Sequence, residues 1–599
     1  VIDPTLIFST FSGSTADNFG YSATYDSRGN VYAAGSVFHF GTDSFPTTPG
    51  AFQTTWAGGL GYNNPNNESG TGTDIGINKY DSSGTHRIYC TYLGGNHDDL
   101  PHSLVVNKND ELFVFGTTAS NTFPVTPTAY DTSFNGGPNP GVFTGLAVHY
   151  ATGSDVIITR FNQDGTSLLA STYLGGTGND GLTYPEYQGL HYNYADEVRG
   201  EIDIDKSNNV YVATCTRSTN FPTTPGAYQT ASHGLMEGVV VKLDNNLTTL
   251  IWSTYLGGSD DDAIYSVAFD NNDDLYVAGG TQSQNFPVTN GVIQTVDSGG
   301  RADGFITHLS KNGNQIFEST YYGSSQYDQI YFVETSRIGN VYVLGQTEAR
   351  GNTFIKNAAY NKPSSGQFIS KITPMLDSVI WSTAFGRGDS TPDISPTAFL
   401  VDVCNKMYVS GWGSYPLVGA LNEPHLTTAG LDITPNAYQS TTDGKDFYVM
   451  VLEDDASALS YATYFGSPNS EEHVDGGTSR FDRKGIMYQS VCAGCGGLSS
   501  FPTTPGAVSQ TNGSYNCNNA VFKFDLELPL VAADFNAPPV VCGVPFNATF
   551  LNTSKSFLSS AFVWIFGDGS ANSMQKNPQH MYTQPGNYTV TLVVNDPTA

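Results

Sequence analysis

The chain has 599 residues, of which 39% are hydrophobic and only 13% are charged, and it contains 65 Gly and 30 Pro. This abundance of turn-forming residues, with so few charged helix formers, predicts an all-β fold. The 55 acidic residues outnumber 25 basic ones and give a net charge of −30, which repels phosphate backbones and anionic bilayers and excludes a nucleic-acid-binding protein.

Membrane insertion is not expected either, because no apolar stretch approaches the roughly 18 to 20 residues that span a bilayer. The sequence begins at Val1 rather than Met, and we expect other segments of a longer protein beyond both ends. The 35 Tyr and 35 Phe residues supply enough apolar surface for a large core. Together these features predict a well-folded acidic protein.

A short phrase occurs seven times along the chain; it most often reads Ser-Thr-aromatic, and in every copy a Gly stands three residues after the Thr. Its spacing of 63 to 82 residues is long enough for four strands and their loops. Seven such units in sequence predict a seven-bladed β-propeller. The threonines of the phrase are Thr10, Thr91, Thr172, Thr254, Thr320, Thr383 and Thr463.

Within each unit, two more phrases mark turns. An Asp opens a short turn before a Tyr-containing strand, as in Asp270-Asn-Asn-Asp-Asp-Leu-Tyr, and we interpret this Asp as hairpin chemistry rather than as a metal ligand. The phrase Phe45-Pro-Thr-Thr-Pro-Gly-Ala contains two prolines, which exclude a central strand and predict a stiff loop.

The order of the phrases also predicts how the ring closes. The chain enters on the phrase that forms the outermost strand elsewhere, Leu6-Ile-Phe-Ser-Thr-Phe, and the seventh unit ends one strand short, at Val521-Phe-Lys-Phe-Asp. We expect these two segments to pair, because pairing removes two exposed strand edges.

These phrases resemble the bacterial SBBP-type propeller repeat, over about residues 5 to 527. After Leu526 the pattern changes, and Phe562-Val-Trp564-Ile-Phe-Gly-Asp568-Gly, with Pro585-Gly-Asn-Tyr588, is similar to the PKD domain. The predicted domains are therefore a propeller over 1–527 and a PKD β-sandwich with a core Trp over 528–599.

Long insertions provide the candidate binding surface. They fall at 56–73, 131–153, 177–200 and 412–445, in loops that a propeller places on one rim, where binding residues are commonly found. The aromatic residues and histidine suit contacts with a protein or a sugar, although they are equally consistent with packing of the loops. The candidate binding residues are Tyr184, Tyr187, His191, Tyr192, Tyr194, Trp56 and Trp412.

Calcium is the candidate cofactor for the acidic links between blades. Asp260, Asp261 and Asp262 lie in a link between blades, and oxygen-rich turns suit a hard cation. Among the seven cysteines, Cys492, Cys495 and Cys517 lie close together in the sequence and are candidates for a disulfide of undetermined pairing in an oxidising compartment. A zinc or redox role for these cysteines is the alternative.

The sequence contains no Gly-x-Ser-x-Gly, His-Glu-x-x-His or phosphate-loop motif, so we predict no catalytic residues. A propeller followed by a PKD module resembles large surface proteins of the Bacteroidota that are exported by the type IX secretion system, including gliding-motility proteins and adhesins. The resemblance implies an extracellular, outer-membrane-associated docking or adhesion platform, with the PKD module beginning a stalk. The implied partners are an outer-membrane barrel or an adhesin of the same cell, or a glycan.

Two other functions remain open at this stage. A carbohydrate-active or peptide-processing enzyme would assemble a site in the central funnel of the propeller. A purely structural role would leave the insertion face without a ligand.

Overall fold

A computed structural model describes most of the chain. Its described residues are 4–39, 42–58, 72–141, 143, 146, 148–184, 189–414, 426–526, 533–538, 543–554 and 560–595. They are almost entirely β-structure, with two three-residue 3-10 turns at Asp196–Val198 and Asp454–Ala456. None of the helices in this part of the chain has the length and apolar character needed to cross a membrane.

Seven four-stranded antiparallel sheets form the blades of a β-propeller. Each blade takes four strands consecutive in sequence except the seventh, which combines β26, β27 and β28 with β1. The strands are β1 (Thr5–Phe11), β2 (Asn18–Tyr25), β3 (Val31–Phe38), β4 (Thr73–Tyr80), β5 (Arg87–Leu93), β6 (Asp99–Val106), β7 (Leu112–Thr118), β8 (Asp155–Phe161), β9 (Leu168–Leu174), β10 (Glu201–Ile204), β11 (Val210–Thr216), β12 (Glu237–Leu243), β13 (Leu250–Leu256), β14 (Asp262–Phe269), β15 (Leu275–Thr281), β16 (Asp303–Leu309), β17 (Ile316–Tyr322), β18 (Asp328–Thr335), β19 (Val341–Thr347), β20 (Gln367–Ile372), β21 (Val379–Phe385), β22 (Ser395–Val401), β23 (Met407–Trp412), β24 (Phe447–Leu452), β25 (Leu459–Phe465), β26 (Arg480–Phe481), β27 (Ile486–Ala493) and β28 (Asn518–Asp525).

The predicted closure of the ring is confirmed. Strand β1 pairs antiparallel with β28, with Thr10 opposite Val521 and Phe11 opposite Ala520. The first strand of the chain thereby completes the last blade. This pairing removes the free edges that the first and last units would otherwise expose.

The core lies between neighbouring blades. The second and third strands of a blade are covered on both faces, and β3 and β4 are accordingly buried at every position. One apolar cluster, between the fifth and sixth blades, includes Tyr342, Ile369 and Trp381 with Met407. Packing on both faces explains why these strands are rich in apolar and small residues rather than strictly alternating.

The residues from Leu526 onward form a separate compact unit. Three two-stranded sheets pair β29 with β31, β30 with β33, and β32 with β34. Trp564 is fully buried against Phe550 and Phe566, as expected for the core Trp of a β-sandwich. The strands are β29 (Phe535–Asn536), β30 (Phe546–Thr549), β31 (Leu551–Asn552), β32 (Ala561–Ile565), β33 (Gln579–Tyr582) and β34 (Thr591–Asn595).

Candidate functional site

The long link between the second and third blades runs into the centre of the propeller. Residues 190–200 are all buried, and their side chains and backbone contact the innermost strands of several other blades. The backbone carbonyl of Leu190 accepts hydrogen bonds from Tyr265 in β14 (3.0 Å) and Gln329 in β18 (3.1 Å). This segment, 189–200, is called the channel segment below.

A buried ion pair fixes the channel segment. Nε of Arg199 lies 3.0 Å from Oδ1 of Asp196, and its two other nitrogens donate to Ser395 Oγ (2.9 Å) and to the carbonyl of Pro396 (3.0 Å) in β22. The second carboxylate oxygen of Asp196 accepts a hydrogen bond from Tyr331 Oη at 2.8 Å. Both charges are therefore paired and hydrogen-bonded, which is the condition for keeping them out of water.

A second segment, 474–479, also crosses the interior and is called the closing segment. The amide of Asp475 donates to Gly20 O (3.0 Å), that of Thr478 to His102 O (3.1 Å) and that of Ser479 to Thr397 O (2.9 Å). These three acceptors lie in β2, β6 and β22, so the closing segment joins three blades. It also meets the channel segment, because Gly477 N donates to Val198 O at 3.2 Å.

The structure corrects the expectation that His191, Tyr192 and Tyr194 form an exposed binding face. Tyr192 stacks on Tyr327 with the ring centroids 4.0 Å apart, and Tyr194 donates a hydrogen bond to Asp475 at 3.0 Å. All three side chains are buried, because residues 190–200 of this insertion lie among the inner strands of the blades. His191 lies 2.9 Å from Glu197 within the same segment.

The other predicted binding residues do not form one surface. Trp412 is buried at the end of β23, and its ring meets Tyr194 edge-on at 6.2 Å. Trp56 is half-buried against His39, and Tyr184 is half-buried beneath the guanidinium of Arg217 at 4.5 Å. Tyr187 and much of the 56–73 and 412–445 insertions lie outside the described residues.

The three aspartates proposed as calcium ligands have separate surroundings in the described structure. Asp262 is buried and accepts hydrogen bonds from Gly258 N (2.7 Å), from Ser283 Oγ (2.9 Å) and from the hydroxyl of Thr281. Asp261 pairs with Arg217 at 3.2 Å, and Asp260 is exposed. The groups of the described chain that could hold a metal ion do not include these three residues.

The hydrogen-bond pattern of Asp262, with one backbone amide and one serine hydroxyl donating to the buried carboxylate, recurs in other blades. Asp99 accepts hydrogen bonds from Gly95 N (2.8 Å) and Ser120 Oγ (3.0 Å), and Asp180 accepts them from Gly176 N (2.8 Å) and Ser218 Oγ (3.0 Å). Burial raises the pKa of Asp99 and of Asp180 to about 8 and that of Asp262 to about 7, against the opposing effect of these hydrogen bonds. The hydrogen bonds of these aspartates tie the start of each blade to the loop after its second strand.

A disulfide joins Cys495 to Cys517, while Cys492 is a buried free thiol. The disulfide fastens the loop between β27 and β28. Of the three candidate cysteines, two form the bond and the third remains available for other chemistry.

A cleft of 410 Å³ lies between the fourth and fifth blades, at the ends of the strands opposite to the long insertions. Its lining combines acidic groups with apolar side chains from the turns of both blades. The residues that line it are Asp270, Asn271, Asn272, Asp274, Tyr276, His308, Phe317, Glu318, Ile338, Gly339, Pro374 and Met375.

Hydrogen bonds fix the acidic wall of the cleft. Asp270 accepts bonds from the amides of Asn272 (2.7 Å) and Asp274 (2.8 Å), which confirms the predicted hairpin role of this Asp. His308 stacks on Tyr276 at 4.2 Å, and its Nδ1 lies 2.9 Å from Glu318. This wall presents negative charge around an imidazole that the stacking holds in place.

The lip of the cleft is apolar. Ile338 is 74% exposed and Met375 is 57% exposed, although both lie in hairpin turns, where polar residues are usual. An acidic wall beside an apolar lip suits a cationic side chain that is followed by an apolar one. Sequence reasoning missed this cleft, and the signal that would have located it is the pair of apolar residues in polar turns.

Comparison with known families agrees with the fold. The PKD domain matches residues 530–598, and a family described as a β-propeller repeat, SBBP, matches residues 251–287. The chain carries an SBBP β-propeller repeat and a PKD domain. The matched repeat spans most of β13, all of β14 and β15, and the start of the next loop. A propeller combined with a PKD domain fits a surface-type protein.

Solved structures similar to this chain have low scores. A protein of unknown function from Dyadobacter fermentans is 13% identical, with 71% of this chain and 98% of that chain covered and a TM-score of 0.31. The NanB sialidase from Streptococcus pneumoniae is 11% identical (72% and 70% covered, TM-score 0.36), and a polysaccharide lyase, PL25 ulvan lyase, is 8% identical (80% and 92% covered, TM-score 0.38). At these scores the likenesses do not bear on function.

Proposed function

We propose that this protein is a non-enzymatic cell-surface protein whose propeller is a docking platform for another surface protein. The observation that carries the proposal is the filled centre of the propeller. The channel segment and the closing segment cross the interior and hydrogen-bond to the inner strands, and the cleft between the fourth and fifth blades is the candidate site for a partner.

The filled channel also weighs against the enzymatic alternative. A carbohydrate-active or peptide-processing enzyme in the funnel requires acidic groups that face an open pocket. The acids of the channel segment are instead engaged, since Asp196 pairs with Arg199 and Glu197 lies 2.9 Å from His191.

The cleft favours a protein partner over a sugar. Exposed Ile338 and Met375 offer apolar contacts, and Asp270, Asp274 and Glu318 offer negative charge to a Lys or Arg. Interfaces commonly combine an apolar centre with charged groups at the edge. We therefore propose that the occupant is a segment of an outer-membrane barrel or adhesin that presents a basic residue next to apolar ones. Gliding motility and type IX secretion are the processes in which we expect this docking, at the outer surface of the cell.

Affinity capture from cell envelopes tests the proposal. The tagged protein is cross-linked gently to native envelopes, and the recovered proteins are identified by mass spectrometry. We expect one surface protein at near-stoichiometric yield, with its cross-links to residues beside the cleft. Recovery of no protein, together with binding of the same preparation to purified polysaccharides, would favour the glycan-binding alternative and overturn protein docking.

A further inference from the structure

Three buried metal-ligating side chains meet where the seventh blade closes the ring. His473 and Cys492 face each other across an isolated antiparallel bridge, in which Cys492 N donates to His473 O at 2.8 Å. Asp475 follows two residues after His473. One ligand atom from each of the three residues lies within 4.8 Å of the other two, so a single ion can reach all three with small side-chain adjustments.

The cluster is closed to solvent, unlike an acidic patch on a surface. His473, Asp475 and Cys492 are all buried, and Nε2 of His473 lies 3.1 Å from Oδ1 of Asp475. Nδ1 of His473 is buried and has no hydrogen-bond partner among the described residues. Because Nε2 is the ring nitrogen that faces Asp475, it is the nitrogen that would bind an ion shared with that carboxylate.

Neighbouring groups already orient two of the three side chains. Gly20 N donates to Sγ of Cys492 at 3.1 Å, and the hydroxyl of Tyr194 donates to Asp475 Oδ1 at 3.0 Å. Backbone N–H groups that donate to a sulfur, and hydroxyls that donate to a ligating carboxylate, are the supporting contacts that hold ligands in metal sites. The channel segment thus contributes to the cluster through Tyr194.

We propose that His473, Asp475 and Cys492 bind one Zn²⁺ ion, with a water molecule at the fourth position. An imidazole, a carboxylate and a thiolate are all zinc ligands, and the thiolate disfavours Ca²⁺ and Mg²⁺. Zinc–ligand bonds of about 2.0–2.3 Å place tetrahedral ligands roughly 3.3–3.8 Å apart, which the cluster permits. The thiol releases its proton on binding, and the two anionic ligands then balance the charge of the ion.

The proposed ion would reinforce the inner edge of the seventh blade. The innermost strand of the seventh blade, β26, has only two residues, Arg480–Phe481, so few ladder hydrogen bonds hold it. Zinc would link the closing segment to β27 at Cys492. Because the site exists only in the folded chain, binding would stabilise the folded state.

A competing metal site must be distinguished. His473 also lies within 4.8 Å of the sulfurs of Cys495 and Cys517. Those sulfurs are bonded to each other and offer no thiolate, but reduction of the bond would create two. The test therefore keeps this disulfide oxidised.

The experiment measures metal content in the full chain, expressed in zinc-supplemented medium and purified with the disulfide intact. We expect about one zinc per chain by elemental mass spectrometry, and less than a tenth of that in the Cys492→Ser and Asp475→Asn variants. Cys215→Ser is the control, because Cys215 is also a buried free cysteine outside the cluster, and this variant should retain the zinc.

A second measurement does not depend on how the variants fold. Wild-type protein produced with cobalt in place of zinc should show thiolate-to-cobalt charge-transfer absorption and the visible bands of tetrahedral Co²⁺. Oxidised wild-type protein with neither zinc nor this spectrum would overturn the proposal. Metal uptake that requires reduction and persists in Cys492→Ser would also overturn it, since it would assign the site to Cys495 and Cys517.

Discussion

Replacing Arg199 by Met tests whether the channel segment is a buried, ion-paired part of the fold. The substitution keeps most of the side-chain volume but removes the partner 3.0 Å from Asp196 and the donors to Ser395 and Pro396. Asp196 would remain buried with its charge uncompensated. Breaking a buried pair in this way costs about 3–5 kcal/mol.

The free energy of unfolding is measured by urea denaturation, followed by intrinsic fluorescence. With an m-value of about 3 kcal/mol per M, a loss of about 3 kcal/mol lowers the midpoint by about 1 M. Lys206→Met is the matched control, because Lys206 forms a pair of 2.6 Å with Asp273 but is 75% exposed. Its removal should cost about 0–1 kcal/mol.

The double variant Asp196→Asn/Arg199→Met sharpens the test. Removing both charges avoids the uncompensated carboxylate, so this variant should be more stable than Arg199→Met alone. A buried, stabilising pair is ruled out if Arg199→Met shifts the midpoint no more than Lys206→Met does, or if the double variant is less stable than Arg199→Met.

Three further predictions concern stability. Asp262→Ala leaves the donors of Gly258, Thr281 and Ser283 without an acceptor and should lower the free energy of unfolding in urea by about 2–4 kcal/mol. Replacement of the exposed Asp260 by Ala should lower it by under about 0.5 kcal/mol. Equal losses would contradict a stabilising role for Asp262. Burial raises the pKa of Asp262 to about 7. The stability that this group contributes is therefore fully present below its unfolded pKa near 3.8 and is lost as the pH rises through about 7. The urea midpoint of the wild-type protein should be higher at pH 5 than at pH 9, and the opposite order would contradict this assignment. Replacing Cys495 and Cys517 by Ser removes a covalent link between residues 22 apart in sequence and should lower the free energy of unfolding by about 3 kcal/mol. An unchanged free energy of unfolding in the same assay would contradict this prediction.

The architecture was predictable from the sequence because each repeat carries the same local chemistry. The turn at Asp270, the double-proline loops and the Ser-Thr-aromatic strands mark the strand boundaries of each unit. The missing strand of the last unit predicted that β1 pairs with β28. Repetition made these signals reliable, since one unit supports the interpretation of the next.

The site was less predictable, for a physical reason. The length of the 177–200 insertion indicates extra structure but not whether that structure lies on the rim or inside the propeller. Arg199 and Asp196 are close in sequence, but their other partners, Ser395 and Tyr331, are more than 100 residues away in sequence. Contacts between residues distant in sequence therefore place His191, Tyr192 and Tyr194 in the interior rather than on the predicted rim. The cleft forms where Ile338 and Met375, in two turns of the fifth blade, meet the acidic wall of the fourth blade, and only the assembled propeller brings these two sides together.

Docking of a partner protein in the cleft between the fourth and fifth blades can be measured as a binding affinity. The most direct test compares the affinity of the captured partner for wild-type protein and for Ile338→Lys/Met375→Lys, which adds two positive charges to the lip. The control is Val296→Lys/Leu235→Lys, because these apolar residues are similarly exposed, at 68% and 63%, in loops at the other end of the strands. We expect at least a tenfold higher Kd, about 1.4 kcal/mol of binding free energy, for the cleft variant and an unchanged Kd for the control. Equal affinities for all three proteins would contradict docking in this cleft.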